Sequence, residues 1–328
     1  MNALFLEKKT DGMDARVRPV ADDAWPAGDV TVRIAYSSIN YKDALAVTGR
    51  GKIVRGAFPF IPGIDFAGEV IGSDDPRYPV GRAVIGTGWG IGEERWGGYS
   101  QLQRVEASML VPLPEAMTPF EAMAAGTAGL TAMLSALALE RHGVAPDAGP
   151  IVVTGATGGV GSFSVRILSS LGYAVTASTG KADAGPYLRD LGAAEVIGRD
   201  ELGQGPRRPL DAGRWAGAVD SVGGNTLAAI LSQTARHGCV AACGLAGAAE
   251  FSTTVFPFIL RGVTLQGIDS NTCTYADRVE AWDRLSALPR SETFERHLQT
   301  VPLSGVPAAC EALMRGGVTG RFVVDVNG

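Results

Sequence analysis

The chain has 328 residues, of which 46% are hydrophobic and 19% are charged. This length suits about two globular domains, and the composition excludes a disordered chain. The formal net charge is −5 with the two signs interspersed, which argues against a nucleic-acid-binding surface. Four scattered cysteines exclude a disulfide framework, and charge appears as early as Glu7, so we expect a cytoplasmic protein without a secretory signal.

The first third of the chain is rich in strand and turn signals. Residues 29–36 alternate between apolar and polar with period two, and residues 68–72 and 81–86 form short apolar runs bounded by glycine. The sequence therefore predicts a β-rich domain with a closed or nearly closed sheet.

An uncharged run at residues 122–139 is long enough to raise the question of a membrane span. It consists largely of alanine, glycine, threonine and serine, whose transfer into a bilayer is unfavourable compared with that of large apolar residues. We therefore expect a buried helix and no membrane partner.

After residue 118, helices alternate with short apolar strands, and this alternation predicts a parallel sheet covered on both faces. A final helix at 306–315 and strand at 322–326 are expected to return to the first domain. The predicted strands of the second domain are 151–154, 174–177, 217–220, 239–243 and 263–267.

The segment 151–161, IVVTGATGGVG, is the most informative motif of the chain. A β-branched run leads into a glycine-rich turn and a helix, and a second strand follows, which is the pattern of a dinucleotide-binding β-α-β unit. In this interpretation Gly155 makes the turn, Gly158 lets backbone N–H groups approach a pyrophosphate, and Gly161 lets the helix pack closely on the sheet. The alternative is a glycine-rich turn that binds no ligand.

The residues after the second strand predict which nicotinamide cofactor is bound. A carboxylate normally holds the ribose of a cofactor that lacks the 2′-phosphate, but the chain reads STGK at 178–181. Two hydroxyls, a glycine and a cation suit a phosphate, and Arg199 is a second cation that either joins them or is simply solvated. The expected cofactor is NADPH, and Asp183 is expected to be a solvated acid.

Several local strings resemble the NADPH-dependent acrylyl-CoA reductase group, which lies in the zinc-free quinone-oxidoreductase branch of the medium-chain dehydrogenase/reductase superfamily. They are SINYKDAL at 38–45, IPGIDFAG at 61–68, GTGWG at 86–90, CVAACGLAG at 239–247, FPFILR at 256–261 and GIDS at 267–270. The resemblance covers essentially the whole chain. It implies an α/β fold: a GroES-like domain from residues 1–118 and 296–328, and a Rossmann domain with a doubly wound parallel sheet from 119–295.

Metal-dependent members of this superfamily carry a cysteine in the segment that matches 39–43 and a histidine–glutamate pair in the segment that matches 62–65. This chain has Asn40 in the first place and Ile64 and Asp65 in the second, and the cysteine-rich loop of a structural zinc site is missing. Cys239 and Cys243 have no histidine near them in sequence and are expected to pack on a buried strand. We therefore expect no metal cofactor.

Without a Lewis acid, the reaction that remains is reduction of an activated carbon–carbon double bond. Hydride goes to the β-carbon, and hydrogen-bond donors hold the enolate charge that develops. The resemblance implies reduction of acryloyl-CoA to propanoyl-CoA with NADPH as donor. It also implies cofactor contacts at Tyr41, Ala156, Thr157, Gly158, Gly159, Val160, Ser178, Thr179, Gly180, Lys181, Arg199, Leu245, Ile259, Ser270 and Arg321.

Tyr41 is the side chain expected nearest the reacting atoms. Its phenol can donate to the enolate oxygen, protonate the α-carbon or orient the nicotinamide, and packing as an inert tyrosine is the alternative. Asn40 is the second catalytic candidate, either as an amide donor to the substrate or as a residue that holds its loop. Asp65 is expected to pair with Lys42.

A coenzyme A thioester carries several phosphate charges, so cations are expected where it binds. Arg50, Lys52 and Arg55 form a short basic run that suits this role, although such runs are also commonly solvated.

Two other functions remain open: a quinone or alkenal reductase with the same cofactor, and an NADPH-binding protein without catalysis. The resemblance also implies a homodimer, formed through an edge strand near residues 263–266.

Overall fold

The computed structural model describes residues 1–10, 12–21 and 24–328. The strands are β1 (Asn2–Lys9), β2 (Gly12–Pro19), β3 (Val30–Ile39), β4 (Asp65–Ser73), β5 (Ala83–Thr87), β6 (Leu102–Val105), β7 (Leu110–Pro112), β8 (Ile151–Val153), β9 (Val175–Thr179), β10 (Glu195–Gly198), β11 (Trp215–Asp220), β12 (Thr234–Ala242), β13 (Thr264–Gly267), β14 (Leu298–Pro302) and β15 (Arg321–Asp325). The helices are α1 (Tyr41–Val47), α2 (Pro119–His142), α3 (Gly159–Ser170), α4 (Gly185–Asp190), α5 (Asp200–Gly203), α6 (Gly224–Gln233), α7 (Phe256–Arg261), α8 (Tyr275–Ser286), α9 (Glu292–Glu295) and α10 (Val306–Met314).

The chain forms two compact units. The first comprises Met1–Thr127, Asn271–Ser286 and His297–Gly328, and the second comprises Ala128–Ser270 and Ala287–Arg296. The predicted boundaries at 118/119 and 295/296 lie close to two of these divisions. They do not include the segment Asn271–Ser286, which the structure places in the first unit.

The second unit is built on a six-stranded sheet with the order β10-β9-β8-β11-β12-β13, in which all neighbours are parallel. In chain order this is 3-2-1-4-5-6, the order of a doubly wound Rossmann sheet. The strand order reverses between β8 and β11, and ligands of such sheets bind at the carboxyl ends of the strands at that point. The predicted fold class is confirmed.

The core of the second unit follows from its strand residues. Because a parallel sheet is covered on both faces, its strands are apolar throughout rather than alternating. All three residues of β8 are completely buried, and all six of β11 are buried. The cluster packed around them includes Val152, Trp215, Ile230, Val240 and Val263.

The first unit contains a hairpin of β1 and β2 and a seven-stranded sheet. The path of this sheet is β14-β15-β3-β4-β5-β7, and β6 pairs with the first half of β3. β15 pairs antiparallel with the second half of β3, so the C-terminal strand lies in the sheet of the first unit. The core of the sheet includes Ile34, Phe66, Val84, Tyr99 and Val324.

Helix α2 begins in the first unit and continues into the second. It breaks at Gly126, whose φ of 52° and ψ of −156° are not helical. By length and composition the helix is apolar enough to cross a bilayer, but 89% of its apolar window is buried inside the protein. Burial in the core explains its apolar composition, as the sequence analysis predicted.

The segment Asn271–Ser286 joins the first unit through a buried cation. Arg278 is 1% exposed and donates from Nη1 to the backbone oxygen and Oγ1 of Thr87, at 2.7 and 2.9 Å. The guanidinium also lies over the ring of Trp89, whose backbone N–H donates to the carbonyl of Asn271 at 2.9 Å. These contacts join residues nearly two hundred positions apart, so local sequence patterns do not reveal them.

Candidate functional site

The glycine-rich turn lies between β8 and α3, at the carboxyl edge of the parallel sheet. Gly155 has a φ of +57°, which favours glycine, and a Cβ there would lie 2.6 Å from Ser221 Oγ. A Cβ on Gly161 would lie 2.3 Å from the carbonyl oxygen of Gly155, so the helix packs too closely for a side chain. At Gly158, by contrast, the one protein atom within 4 Å of a Cβ is Gly155 O, at 3.2 Å. Gly158 thus leaves space before the N-terminus of α3, where anions bind.

The turn is held by Asp220, a residue that the sequence analysis missed. This completely buried carboxylate ends β11 and accepts from Thr154 Oγ1 at 2.6 Å and from the backbone N–H of Gly223 at 2.9 Å. Ser221 Oγ donates to the carbonyl of Thr154 at 3.0 Å. Burial raises the pKa of Asp220. A lone carboxylate at the end of an apolar strand was the available sequence signal.

The residues predicted to bind the 2′-phosphate lie together at the ends of β9 and β10. Ser178 and Thr179 are buried, and the carbonyl of Ser178 accepts from the N–H of Ala156 in the glycine turn at 3.1 Å. The N–H of Arg199 donates to the carbonyl of Thr179 at 2.8 Å. The side chain of Arg199 lies against Gly180, where a Cβ would come within 2.7 Å of the arginine Cδ and Nε.

Two cations with different surroundings flank this edge. Lys181 is half-buried, and burial lowers the pKa of its ammonium group while the Asp183 charge opposes that shift. Arg199 is exposed, and its guanidinium makes no hydrogen bond or ion pair within residues 1–10, 12–21 and 24–328. Its five N–H donors are thus available to an anion.

The three remaining cofactor candidates of the second unit lie beyond β12. Leu245 and Ile259 are 58% and 68% exposed, which is unusual for large apolar side chains. The segment that carries Leu245 contacts the loop after β11, where Gly223 forms a bridge with Ala248. Ser270 follows β13 and accepts a hydrogen bond from Thr131 Oγ1 at 2.9 Å.

In the first unit, the two catalytic candidates occupy the start of α1. Tyr41 is the first residue of the helix and is 44% exposed. Asn40 is the N-cap and is 8% exposed. Its Nδ2 lies within hydrogen-bond distance of Asp65 Oδ2 at 2.7 Å and of Ser38 Oγ and Asp43 Oδ2 at 3.2 Å. This geometry favours the interpretation that Asn40 holds its loop over the one in which it binds substrate.

Two buried carboxylates share Asn40. Asp65 accepts from Ser38 Oγ at 2.6 Å and from the backbone N–H of Thr127 at 2.8 Å, in addition to Asn40. Asp43 accepts from the N–H groups of Asn40 and Ile64, both at 2.9 Å. Burial, with the nearby Asp65 charge as the second cause, raises the pKa of Asp43 to about 7.

Arg321 supplies the positive charge of this cluster. It is 4% exposed, and Nε donates to the carbonyl of Ala124 at 3.1 Å. Nη1 donates to the carbonyl of Ile39 and to Asn40 Oδ1 at 3.0 and 3.1 Å, and Nη2 to Ser38 Oγ and the carbonyl of Ala125 at 3.2 and 3.4 Å. All five N–H donors of the guanidinium are used inside the first unit. The predicted contact of Arg321 with the cofactor stays a prediction, and in this arrangement the side chain serves the polar cluster of the first unit.

The predicted pairing of Lys42 with Asp65 is wrong. Lys42 Nζ lies 2.8 Å from Glu93 Oε1, and Asp65 takes part in the cluster described above. Glu93 also pairs with Arg55 at 3.1 Å, and Arg55 pairs with Glu94 at the same distance.

Two of the three cations in the predicted coenzyme A-binding run therefore already pair with glutamates. Arg50 pairs with Glu311 at 2.9 Å, and Arg55 with the two glutamates named above. Lys52 is exposed and makes no ion pair in the described part of the chain. The pairs of Arg50 with Glu311 and of Arg55 with Glu94 are exposed and worth little, so both arginines can exchange these glutamates for a phosphate, whereas Glu93 is buried.

Cys239 is buried on β12, and Cys243 follows that strand and donates its thiol to the carbonyl of Asp220 at 3.3 Å. Burial raises the pKa of Cys239 to about 11 and that of Cys243 to about 12. Within residues 1–10, 12–21 and 24–328, no group of three or more histidine, cysteine, aspartate or glutamate side chains is arranged to hold a metal ion.

Two protein families match the chain. The alcohol dehydrogenase GroES-like domain matches residues 26–115, and the zinc-binding dehydrogenase family matches residues 159–287. The first match lies in the first unit and most of the second match lies in the second unit.

Relatives that match over essentially their full length include a reductase and a putative quinone oxidoreductase. The chain is 47% identical over 328 residues to acrylyl-CoA reductase AcuI of Ruegeria pomeroyi, with 99% of each chain covered. It is 44% identical over 325 residues to the putative quinone oxidoreductase YhfP of Bacillus subtilis, covering 99% of this chain and 98% of the relative.

Two solved structures show the same fold. The yhdH oxidoreductase from Salmonella enterica, crystallised in complex with NADP, superposes with a TM-score of 0.96 at 48% identity, covering 99% of this chain and 100% of the other. The Bacillus subtilis protein yhfP, crystallised with NAD bound, superposes with a TM-score of 0.95 at 43% identity, covering 99% of both chains.

Proposed function

Because the chain belongs to the acrylyl-CoA reductase group of the medium-chain dehydrogenase/reductase superfamily, we propose that it reduces the carbon–carbon double bond of acryloyl-CoA to give propanoyl-CoA, with NADPH as donor. The observation that carries this proposal is the 47% identity to an acrylyl-CoA reductase over 99% of both chains. The test is NADPH oxidation with acryloyl-CoA, followed by identification of propanoyl-CoA as the product.

The second unit has the features that NADPH binding requires. The space beside Gly158 opens onto the N-terminus of α3, which suits the pyrophosphate, and the uncommitted guanidinium of Arg199 suits the 2′-phosphate. We expect the double variant Lys181→Ala/Arg199→Ala to raise KM for NADPH far more than KM for NADH. Equal changes for the two cofactors would remove the assignment of these residues to the phosphate.

In the reaction, NADPH supplies a hydride to the β-carbon of the acryloyl group. Negative charge then develops on the thioester oxygen, and a proton must reach the α-carbon to complete propanoyl-CoA. Tyr41 is half-exposed at the start of α1, and its phenol is a donor of the kind that this step needs. The Tyr41 phenol therefore has three candidate roles: a donor to the enolate oxygen, the proton source for the α-carbon, or a group that orients the nicotinamide ring.

Tyr41→Phe separates these roles. Loss of a donor to the developing charge or of the proton source lowers kcat by about 10-fold or more with an unchanged KM for NADPH, whereas loss of nicotinamide orientation raises that KM as well. Deuterium incorporation at the α-carbon in D₂O then tells charge stabilisation from proton transfer. Tyr36→Phe on β3 is the matched control. If Tyr41→Phe leaves both constants unchanged, Tyr41 has none of these roles.

We propose that the phosphates of coenzyme A bind at the basic run of the first unit, with Lys52 as the first contact because it is exposed and makes no described ion pair. Neutralising Arg50, Lys52 and Arg55 together should raise KM for acryloyl-CoA and leave KM for a small uncharged enone unchanged. Parallel increases for both substrates would place coenzyme A elsewhere.

The polar cluster in the first unit supports a reaction without a metal. Its polar side chains are those of Ser38, Asn40, Asp43 and Asp65, and the buried guanidinium of Arg321 already supplies a positive charge beside them. Zinc sites in proteins are built mainly from cysteine thiolates and histidine imidazoles, to which carboxylates are added. This cluster contains neither a thiolate nor an imidazole. Activity should therefore be the same with and without a chelator. Stoichiometric metal in the purified protein, with loss of turnover on its removal, would overturn this part of the proposal.

A quinone or alkenal reductase is the second candidate, and the 44% identity to a putative quinone oxidoreductase favours it specifically. The two functions differ in kcat/KM for acryloyl-CoA and for a simple quinone, measured with the same NADPH concentration. If NADPH is oxidised with none of these acceptors or any other activated alkene, the protein binds its cofactor without catalysis.

We also propose a cytoplasmic homodimer that binds neither membranes nor nucleic acid. β13 lies at the edge of the six-stranded sheet, so its outer backbone groups are available to a second copy. Analytical ultracentrifugation should give twice the mass of 34.0 kDa, and a proline placed in β13 should shift the population toward the monomer.

A further inference from the structure

The backbone conformation at position 180 does not require a glycine. Its φ lies outside the left-handed region, and the residue is exposed, so an alanine there would be strained by neither conformation nor burial. The three described atoms nearest to a Cβ at this position all belong to the side chain of Arg199. A Cβ on Gly180 would lie 2.7 Å from Arg199 Cδ, 2.7 Å from Nε and 2.9 Å from Cζ.

The backbone of Arg199 is fixed on both sides. Its N–H donates to the carbonyl of Thr179 at 2.8 Å, and its own carbonyl accepts from the N–H of Gly203 in α5 at 2.9 Å. These two hydrogen bonds hold the Cα of Arg199, and from there its side chain lies against Gly180 at the carboxyl end of β9. That strand end is where the ribose of a dinucleotide is recognised in a doubly wound sheet.

We propose that Gly180 is a positioning residue for cofactor selection: the missing side chain leaves the space that directs the Arg199 guanidinium toward the 2′-phosphate of NADPH. This inference rests on the proposed function only in that NADPH binds to the second unit. With a methyl group at position 180, the guanidinium would turn toward solvent and lose its hydrogen bonds to the phosphate. NADH has no 2′-phosphate, so its affinity does not depend on this space.

Gly198 provides a matched control on the other side of Arg199. It too has no left-handed φ, and apart from its two chain neighbours a Cβ there would meet no atom of the described residues within 4 Å. The variants to compare are Gly180→Ala, Gly198→Ala, Arg199→Ala and Gly180→Ala/Arg199→Ala, with dissociation constants measured for NADPH, NADH, 2′,5′-ADP and 5′-ADP. The two nucleotide fragments report on binding without any need for turnover.

We expect Gly180→Ala to weaken NADPH and 2′,5′-ADP by about 10- to 100-fold, the loss of one or more hydrogen bonds to a charged group. NADH and 5′-ADP should change by less than about twofold, and Gly198→Ala should leave all four ligands unchanged. In the Arg199→Ala background, adding Gly180→Ala should cause no further loss, because both changes remove the same interaction.

Three results would overturn the inference while the proposed function stands. Unchanged NADPH binding in Gly180→Ala means that the guanidinium does not need this space. An equal loss for NADPH and NADH means that the methyl group meets the shared part of the cofactor. Additive losses in the double variant mean that Gly180 does not act through Arg199. Failure of the unaltered protein to bind NADPH would instead remove the proposed function, and this inference with it.

Discussion

Replacing Arg321 by methionine tests the buried charge cluster of the first unit. Methionine retains an unbranched apolar side chain, so much of the packing stays while the cation and its five N–H donors are lost. The acceptors left without them are the carbonyls of Ala124, Ala125 and Ile39, together with Asn40 Oδ1 and Ser38 Oγ. Asp65 keeps its hydrogen bonds but loses the nearest compensating charge.

The magnitude follows from this burial. Arg321 and Asp65 share Ser38 Oγ and make no direct ion pair in the described part of the chain, but removing one charge from such a buried cluster should cost about as much as breaking a buried ion pair, about 3–5 kcal/mol, because an uncompensated charge remains in the interior. For a unit of about 150–250 residues, each kcal/mol shifts Tm by about 2–4 °C, so we expect a decrease of about 6–20 °C.

The assay is urea and thermal unfolding of four proteins: the unaltered chain, Arg321→Met, Asp65→Asn and the double variant. The double variant should be more stable than the sum of the two single losses predicts, by about 0.5–3 kcal/mol, because no unpaired charge remains in it. Arg315→Met is the control, since Arg315 is exposed and its loss should change stability by less than about 0.5 kcal/mol.

Two results would refute this reasoning. A loss below about 1 kcal/mol for Arg321→Met would mean that the guanidinium does not compensate the buried carboxylates. Strict additivity in the double variant would mean that Arg321 and Asp65 do not interact, although both contact Ser38 Oγ.

Three further predictions concern the pH dependence, the cofactor turn and the acidic residue beside Lys42. Burial raises the pKa of Asp43 to about 7, so between about pH 4 and 7 the folded state holds a proton that the unfolded chain has released. The contribution of this group to the free energy of unfolding is therefore fully present below about pH 4 and is lost as pH rises to about 7. In urea titrations, the free energy of unfolding of the unaltered protein should fall by up to about 1.4 kcal/mol per pH unit in that window relative to that of Asp43→Asn. Identical pH slopes for the two proteins would contradict the raised pKa. Gly161→Ala places a Cβ 2.3 Å from a carbonyl oxygen and should lower the free energy of unfolding by about 1–3 kcal/mol. Gly158→Ala should be as stable as the unaltered protein and should bind NADPH more weakly. Equal stabilities of the two variants would contradict the close packing at Gly161. Glu93→Gln removes a buried carboxylate that pairs with Lys42 and Arg55 and should lower stability by about 1–3 kcal/mol, the range for a buried hydrogen-bonded charge that loses its partner. Because Arg55 then keeps one carboxylate partner, KM for acryloyl-CoA should fall, and an unchanged KM would exclude Arg55 from that site.

Much of the second unit was predictable because its signals are local. The apolar runs at β8, β9, β11, β12 and β13 each lie within a few residues, and the glycine spacing of the turn is a property of eleven consecutive positions. The proposed 2′-phosphate site rests on a local signal too, the absence of a carboxylate directly after β9, and it stays a prediction. Asp220 was missed because a buried acid at a strand end has the same local sequence whether it holds a loop or faces solvent.

Sequence alone thus determined the alternation of strands and helices in the second unit, the glycine-rich turn and the residue types available to a phosphate. Only the tertiary structure decided how each arginine is used: the guanidinium of Arg199 makes no described ion pair, whereas all five donors of Arg321 are taken. The partners of Arg321 at Ile39 and Asn40 are more than 280 positions away, and Lys42 meets Glu93 rather than Asp65. The physical reason is that hydrophobic periodicity and turn chemistry act over a few residues, whereas burial and charge pairing depend on which distant segments the fold brings together.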